Sequence, residues 1–147
     1  MTDLTALYTD LVRTETRVFN RIDARLRAEH ELTLGQLEFL RILAAHDTCR
    51  VFDIAQEVDI TVGATSKGVD RLEARGWCAR QPNPDDRRSS LIALTPAGRE
   101  ALTAALPTFE AAVAEQVGGL PRPVVEALAA GLRQWRDRLE LRSSARP

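Results

Sequence analysis

Gly63, Ser66, Lys67, Asp70 and Arg71 recur along one stretch at spacings that share the outer face of a helix, and Arg87-Arg88 follow between Asp86 and Ser89. That outer face is small, hydroxylic and basic. Hydroxyl and ammonium donors on a narrow rod suit the base-pair edges of a DNA major groove, roughly 12 Å wide. A flexible arginine on a projecting ribbon suits the narrower, more electronegative minor groove. The residue types therefore point to nucleic-acid chemistry: donors and cations meet acceptors and phosphates, and no bond is broken.

Such side chains need rigid carriers. Thr61 is a good N-cap, Val62 to Arg75 holds no proline, and Gly76 stands where a helix C-terminus takes a glycine. A helix of about four turns is predicted there, with Thr65, Val69 and Leu72 facing the core at i, i+4, i+7. Trp77–Gln81 and Leu91–Leu94 are short strand candidates around the turn-rich 82–90 segment, Pro-Asn-Pro-Asp-Asp-Arg-Arg-Ser-Ser. Upstream, Asp53–Val58 reads as a short amphipathic helix, and Asp59-Ile60-Thr61 turns it into the reading helix. Two helices so joined, followed by a hairpin with a basic tip, spell a winged helix-turn-helix.

With 147 residues, 44% hydrophobic and 28% charged, the chain reads as a single globular domain able to bury an ordinary core. No apolar run approaches the ~20 residues needed to span a bilayer, so no membrane association is expected. The Met1-Thr2-Asp3-Leu4 start lacks a basic and an apolar segment, so no secretory signal is read and a cytoplasmic location is expected. The net charge of −1 argues weakly against nucleic acid, but its distribution is uneven. Between Thr61 and Ser90, Lys67, Arg71, Arg75, Arg80, Arg87 and Arg88 outnumber Asp70, Glu73, Asp85 and Asp86, and Lys67 is the chain's only lysine.

At the ends, Leu4, Leu7, Leu11, Val18, Ile22 and Leu26, with Phe19 beside them, form an apolar stripe over a long helix from about Asp3 to Glu29. Thr33 caps a second helix, Leu34–Ala45, with Leu37, Leu40 and Leu43/Ala44 inward. Thr95-Pro96 starts a third long helix, Ala97–Val117, which Pro107 is expected to kink. Pro121–Leu141 places Val124/Val125, Leu128, Leu132, Trp135 and Leu139 on one face, and Arg142–Pro147 reads as a frayed tail. The terminal helices carry more apolar surface than the central unit can cover, so packing against a second copy is expected. The predicted fold class is mainly α with a small β wing. About 33–95 forms the winged helix-turn-helix, and about 3–30 and 96–142 form dimerisation helices.

Asp86-Arg87-Arg88-Ser89 followed by Leu94-Thr95-Pro96-Ala97-Gly98, and Val69-Asp70-Arg71-Leu72-Glu73-Ala74-Arg75-Gly76, resemble the wing and reading-helix motifs of the MarR family of bacterial transcriptional regulators. The resemblance implies an all-helical dimer with a wing hairpin and intertwined terminal helices, bound to a pseudo-palindromic operator of double-stranded DNA. It places Thr61, Gly63, Thr65, Ser66 and Lys67 on the reading helix, Arg71 against phosphate or the wing, and Arg88 in the minor groove, oriented by Asp86. Arg87 and Ser89 belong to the same DNA-binding set. The resemblance also implies a small-molecule effector, an anionic aromatic, between the first helix and the winged unit. Arg13 and Arg17, one turn apart, are candidates for its carboxylate, against the alternative of a solvated face or an intersubunit ion pair. Two departures stand out. Gly68 replaces a large apolar residue, costing ~1 kcal/mol and leaving an expected gap beside Val69. Arg50-Val51-Phe52 lacks the usual Ser/Thr cap.

His30, His46, Cys49 and Cys78 are the soft metal ligands present, without a second pair at zinc-like spacing, so no metal and no cofactor are expected. No nucleophile, histidine and acid form a recognisable catalytic set, and no Gly-rich phosphate loop occurs; a non-enzyme is expected. Two function classes remain. One is a DNA-binding, ligand-responsive repressor. The other is a winged-helix protein-interaction module, with a regulator sensing oxidants through Cys49/Cys78 as a further variant.

Overall fold

A computed structural model describes residues 1–144. Helix α1 (Leu4–His30) is followed by α2 (Leu34–Ala45), strand β1 (Cys49–Arg50), α3 (Val51–Val58), α4 (Val62–Ala74), β2 (Cys78–Pro82), β3 (Ser90–Leu94), α5 (Pro96–Val117) and α6 (Arg122–Ser144). Met1–Ala112 form one unit, and a second begins at Val113. No helix among the described residues is long and apolar enough to cross a membrane.

The first unit is organised by α2, whose apolar residues fall on nearly every side: Leu34, Leu37, Phe39, Leu40, Ile42 and Leu43 are all buried. Thr33 and Gln36 cap it reciprocally, each side chain meeting the other's amide at 3.0 Å. Asp23 of α1 accepts the Leu34 amide at 2.8 Å, which ties α1 to the start of α2. Around α2 gather Ile22 and Leu26 of α1, Ile54 of α3, Val69 and Leu72 of α4, Ile92 of β3 and Leu102 of α5. Each such side chain contributes about 1.5–3 kcal/mol on leaving water.

The hairpin is a three-stranded sheet in the order β1-β3-β2, both pairings antiparallel. Sequence periodicity could not find β1: two residues, Cys49 and Arg50, carry no alternation, and only their pairing with Ile92 and Leu91 defines the strand. The β2 boundary moves one residue later than expected, because the α4 terminus uses Trp77. The Trp77 amide donates to Leu72 O at 3.0 Å and the Gly76 amide to Glu73 O at 2.9 Å, closing a turn that requires the left-handed φ of 73° at Gly76.

Three further expectations need correction. Helix α3 begins at Val51, not Asp53; it lacks a Ser/Thr cap as expected, and Asp53 instead accepts the Arg50 amide at 2.9 Å and the Arg50 guanidinium at 2.7 Å. No gap lies beside Val69, because the Phe39 ring rests against Gly68 so closely that a Cβ there would overlap its edge. Glycine at 68 lets α4 approach α2. Finally, α6 continues through Ser144, so Arg142–Ser144 are helical and not a frayed tail, while Ala145–Pro147 lie outside the described residues. Helix α5 continues through Pro107.

The apolar stripes of the terminal helices are only partly used. Ile22 and Leu26 are buried and Val18 is partly so. Leu4, Leu7, Tyr8, Val12 and Phe19 of α1 remain exposed. So do Val124, Leu128, Leu132, Trp135 and Leu139 of α6.

Candidate nucleic-acid interface

Helix α4 begins where Thr61 Oγ1 accepts the Ala64 amide at 3.2 Å. Gly63 and Lys67 are exposed, with open space around Gly63, and Ser66 is half-buried. Thr65 is the exception. It is fully buried and its hydroxyl donates to Thr61 O at 3.0 Å, so it cannot reach DNA. Helical periodicity placed it correctly toward the core, and its inclusion among the DNA-binding residues is overturned.

The wing tip is built by side chains that hold backbone. Asn83 is buried; its Oδ1 accepts the Asp85 amide at 3.0 Å and its Nδ2 donates to Ser89 Oγ at 2.9 Å. Asp86 Oδ1 accepts the Arg88 amide at 2.9 Å, an Asx turn. Asp86 therefore orients Arg88 through its backbone and not by pairing with the guanidinium, which together with that of Arg87 is exposed. Ser89 belongs to this scaffold, its hydroxyl 3.4 Å from Asp86 O. Asn83 was missed as a site residue, although an asparagine inside a Pro-rich turn signals such a role.

An open cleft of about 460 Å³ is lined by Ser66 and Val62 of α4, Arg88 and Ser89 of the wing, and Arg50 and Phe52 at the start of α3. Phe52 is half exposed under the Arg50 guanidinium, 5.8 Å from its ring centre. Neither residue was expected in the site, since only tertiary packing brings α3 beside the wing. Arg80, also in the cleft, bonds Asp70 at 2.6 Å and Glu73 at 2.9 Å. Burial works against its charge, but the bonds and charges of Asp70 and Glu73 outweigh this and hold its pKa above the ordinary arginine value. Arg75 stacks on Trp77 at 3.8 Å and donates to Glu31 O. Lys67, Arg71, Arg87 and Arg88 are exposed, as is the stacked Arg75.

Arg71 borders a second cleft of about 260 Å³ with Phe39, Ile60, Ala64 and Gly68. Arg13 and Arg17 are exposed on α1, and neither lines either cleft.

The thiols are placed for packing. Cys49 and Cys78 are buried, and burial pushes each up to about 11, helped by Asp53 and Glu57 at Cys49 and by Glu73 at Cys78. Near neutral pH both remain protonated, which opposes thiolate-based sensing. A thiol-specific disulfide reagent at pH 8 is expected to label the native protein slowly and both cysteines promptly after unfolding; fast native labelling would contradict this. Because the folded pKa lies above the ordinary value of 9.0, this contribution to stability is full below pH 9 and lost as pH rises toward 11. Among the described residues no cluster of three metal-ligating side chains occurs.

The MarR family sequence profile matches residues 32–90, from the end of α1 to the start of β3. The uncharacterised HTH-type transcriptional regulator YdcH of Bacillus subtilis is 33% identical over 99 residues, 65% of this chain and 67% of YdcH. The chain belongs to the MarR family. Against the uncharacterised HTH-type transcriptional regulators YwhA and YfiV of Bacillus subtilis and against MarR of Salmonella typhimurium, it spans less than half of the relative's length. Two solved structures extend the likeness over nearly the whole chain. The MarR family regulator Sco3205 of Streptomyces coelicolor, solved in complex with DNA, is 25% identical, with a TM-score of 0.83 over 92% of this chain and 86% of that one. BpsR of Bordetella bronchiseptica, whose DNA binding is regulated by 6-hydroxynicotinic acid, is 26% identical, with a TM-score of 0.81 over 89% of this chain and 98% of BpsR.

Proposed function

We propose that the chain is a sequence-specific DNA-binding transcriptional regulator that acts as a homodimeric repressor on a pseudo-palindromic operator and is released by a small-molecule effector. The observation that carries this reading is the shared cleft: Ser66 on the reading helix and Arg88 on the wing line the same cleft, so one protomer can address adjacent grooves of one duplex. Sco3205, solved with DNA, supports it by likeness. Thr61, Gly63, Ser66, Lys67 and Arg71 serve the major groove and its phosphates, and Arg87 and Arg88, held by Asp86 and Ser89, serve the minor groove.

The dimer rests on the exposed apolar side chains of α1 and α6, which a second copy would cover. The effector is an anionic aromatic, with Arg13 and Arg17 as its cations. BpsR, whose regulator is an aromatic carboxylic acid, supports that class. Such an effector acts by binding better to the dimer shape whose reading helices do not match the operator, a coupling of about 1–3 kcal/mol.

Footprinting on the DNA upstream of its own gene, with sedimentation at micromolar concentration, tests the reading. The expected results are a dimer and a protected site with dyad symmetry, its half-sites about one helical turn apart, whose affinity falls steeply with salt. A stable monomer, an asymmetric footprint or a flat salt dependence would count against it. Absence of any DNA binding would favour a protein-interaction module.

A further inference from the structure

We propose that Arg80 is an internal counter-ion for the reading helix: it touches no DNA, and it neutralises Asp70 and Glu73 so that the helix can approach phosphate. The inference rests on the DNA-binding reading above.

Helix α4 carries two carboxylates where a nucleic-acid-binding helix should avoid them. Asp70 lies one turn beyond Lys67 and beside Arg71, with 61% of its side chain exposed, and Glu73 follows with 42% exposed. Left bare, both would repel the phosphate backbone that Lys67 and Arg71 are placed to attract. Arg80 on β2 reaches across to both. Its Nη2 donates to Asp70 Oδ1 at 2.6 Å, its Nη1 to Glu73 Oε1 at 2.9 Å, and its own backbone amide to Glu73 Oε2 at 3.0 Å. The Arg80 side chain is 25% exposed, and two of its guanidinium nitrogens are already committed. A planar fork can hold two carboxylates at once, which an ammonium on a flexible stem does poorly. Arg80 is thus a positioning residue that acts through Asp70 and Glu73, while Arg88 and Lys67 do the contacting.

A charge cycle tests this. Binding of a fluorescein-labelled duplex carrying the protected upstream segment is measured by anisotropy at one salt concentration for wild type, R80A, D70N and R80A/D70N, with thermal unfolding recorded for each. R80A is expected to weaken binding by on the order of tenfold, since two carboxylates are uncovered near phosphate. D70N alone should change affinity by less than about twofold, because that charge is already compensated, yet in the R80A background it should recover about half of the loss on a logarithmic scale, Glu73 staying uncovered. Such non-additivity is the mark of one group acting through another. If D70N changes affinity by the same factor in both backgrounds, Arg80 and Asp70 act independently and the proposal fails. R80Q repeats the cycle should R80A unfold, and loss of folding in both would make the cluster a fold-holding device, which also overturns the assignment. A wild type that binds no DNA would instead remove the reading on which the inference rests.

Discussion

Gly98→Ala is expected to lower folding stability by about 3 kcal/mol, the upper end of the usual overpacking penalty. The added Cβ would overlap the backbone carbonyl of Trp77 and the Leu94 side chain. A flexible side chain could step aside, but this backbone cannot. Trp77 O accepts the Thr95 amide at 3.1 Å, Gly76 O accepts the Thr95 hydroxyl at 2.6 Å, and the Trp77 amide is fixed on Leu72. The Thr95 hydroxyl also accepts the Gly98 amide at 3.1 Å, so the α4 turn, the root of β2 and the start of α5 form one knot. Gly131 in α6 makes the contrast, as nothing lies within 4 Å of its Cβ position. Gly131→Ala should therefore gain about 0.5–1 kcal/mol from helix propensity alone. Urea denaturation of both variants separates the effects, and a loss at Gly98 below about 1 kcal/mol would show that the knot tolerates movement.

Arg88→Ala should weaken binding to the operator and to A·T-rich non-operator DNA by similar factors, whereas Lys67→Ala should narrow the ratio between them. The wing arginine reads groove width and potential, which many sequences share. Its exposed guanidinium is free to do so because Asp86 grips its amide and leaves the side chain alone. Lys67 stands on the exposed face of α4, where a contact to a base edge discriminates by about 1–3 kcal/mol per base pair. Both ratios must be measured at one salt concentration, since phosphate contacts alone make affinity salt-dependent. If Lys67 touches only phosphate, both variants lose affinity uniformly and the ratio holds. An Arg88→Ala protein that binds like wild type would remove the wing from the mechanism.

Much of this is legible in the sequence alone. The reading helix, its Thr61 cap and its Gly76 stop follow from short-range rules, because caps and glycine turns are satisfied by residues within a few positions of one another. The Leu34–Ala45 helix matches its expected limits and its expected Thr33 cap. The hairpin and its basic tip were also local: Asn83, Pro84, Asp85 and Asp86 favour a turn. The burial of Thr65 was legible as well, since period 3.6 set it with Val69 and Leu72. Only the resemblance moved it into the interface.

What the tertiary structure decided concerns groups far apart in sequence, for which no local propensity speaks. Two-residue β1 exists because β3 offers it a partner. Gly68 looked like a defect until Phe39, from another helix, was found against it. Arg80 counted as one more positive charge in a basic stretch, and only the folding of β2 onto α4 commits it to Asp70 and Glu73. Phe52 and Arg50 joined the cleft for the same reason. Composition records how many charges a chain has, but the distances between them, which fall as the chain closes on itself, decide which remain available to a partner.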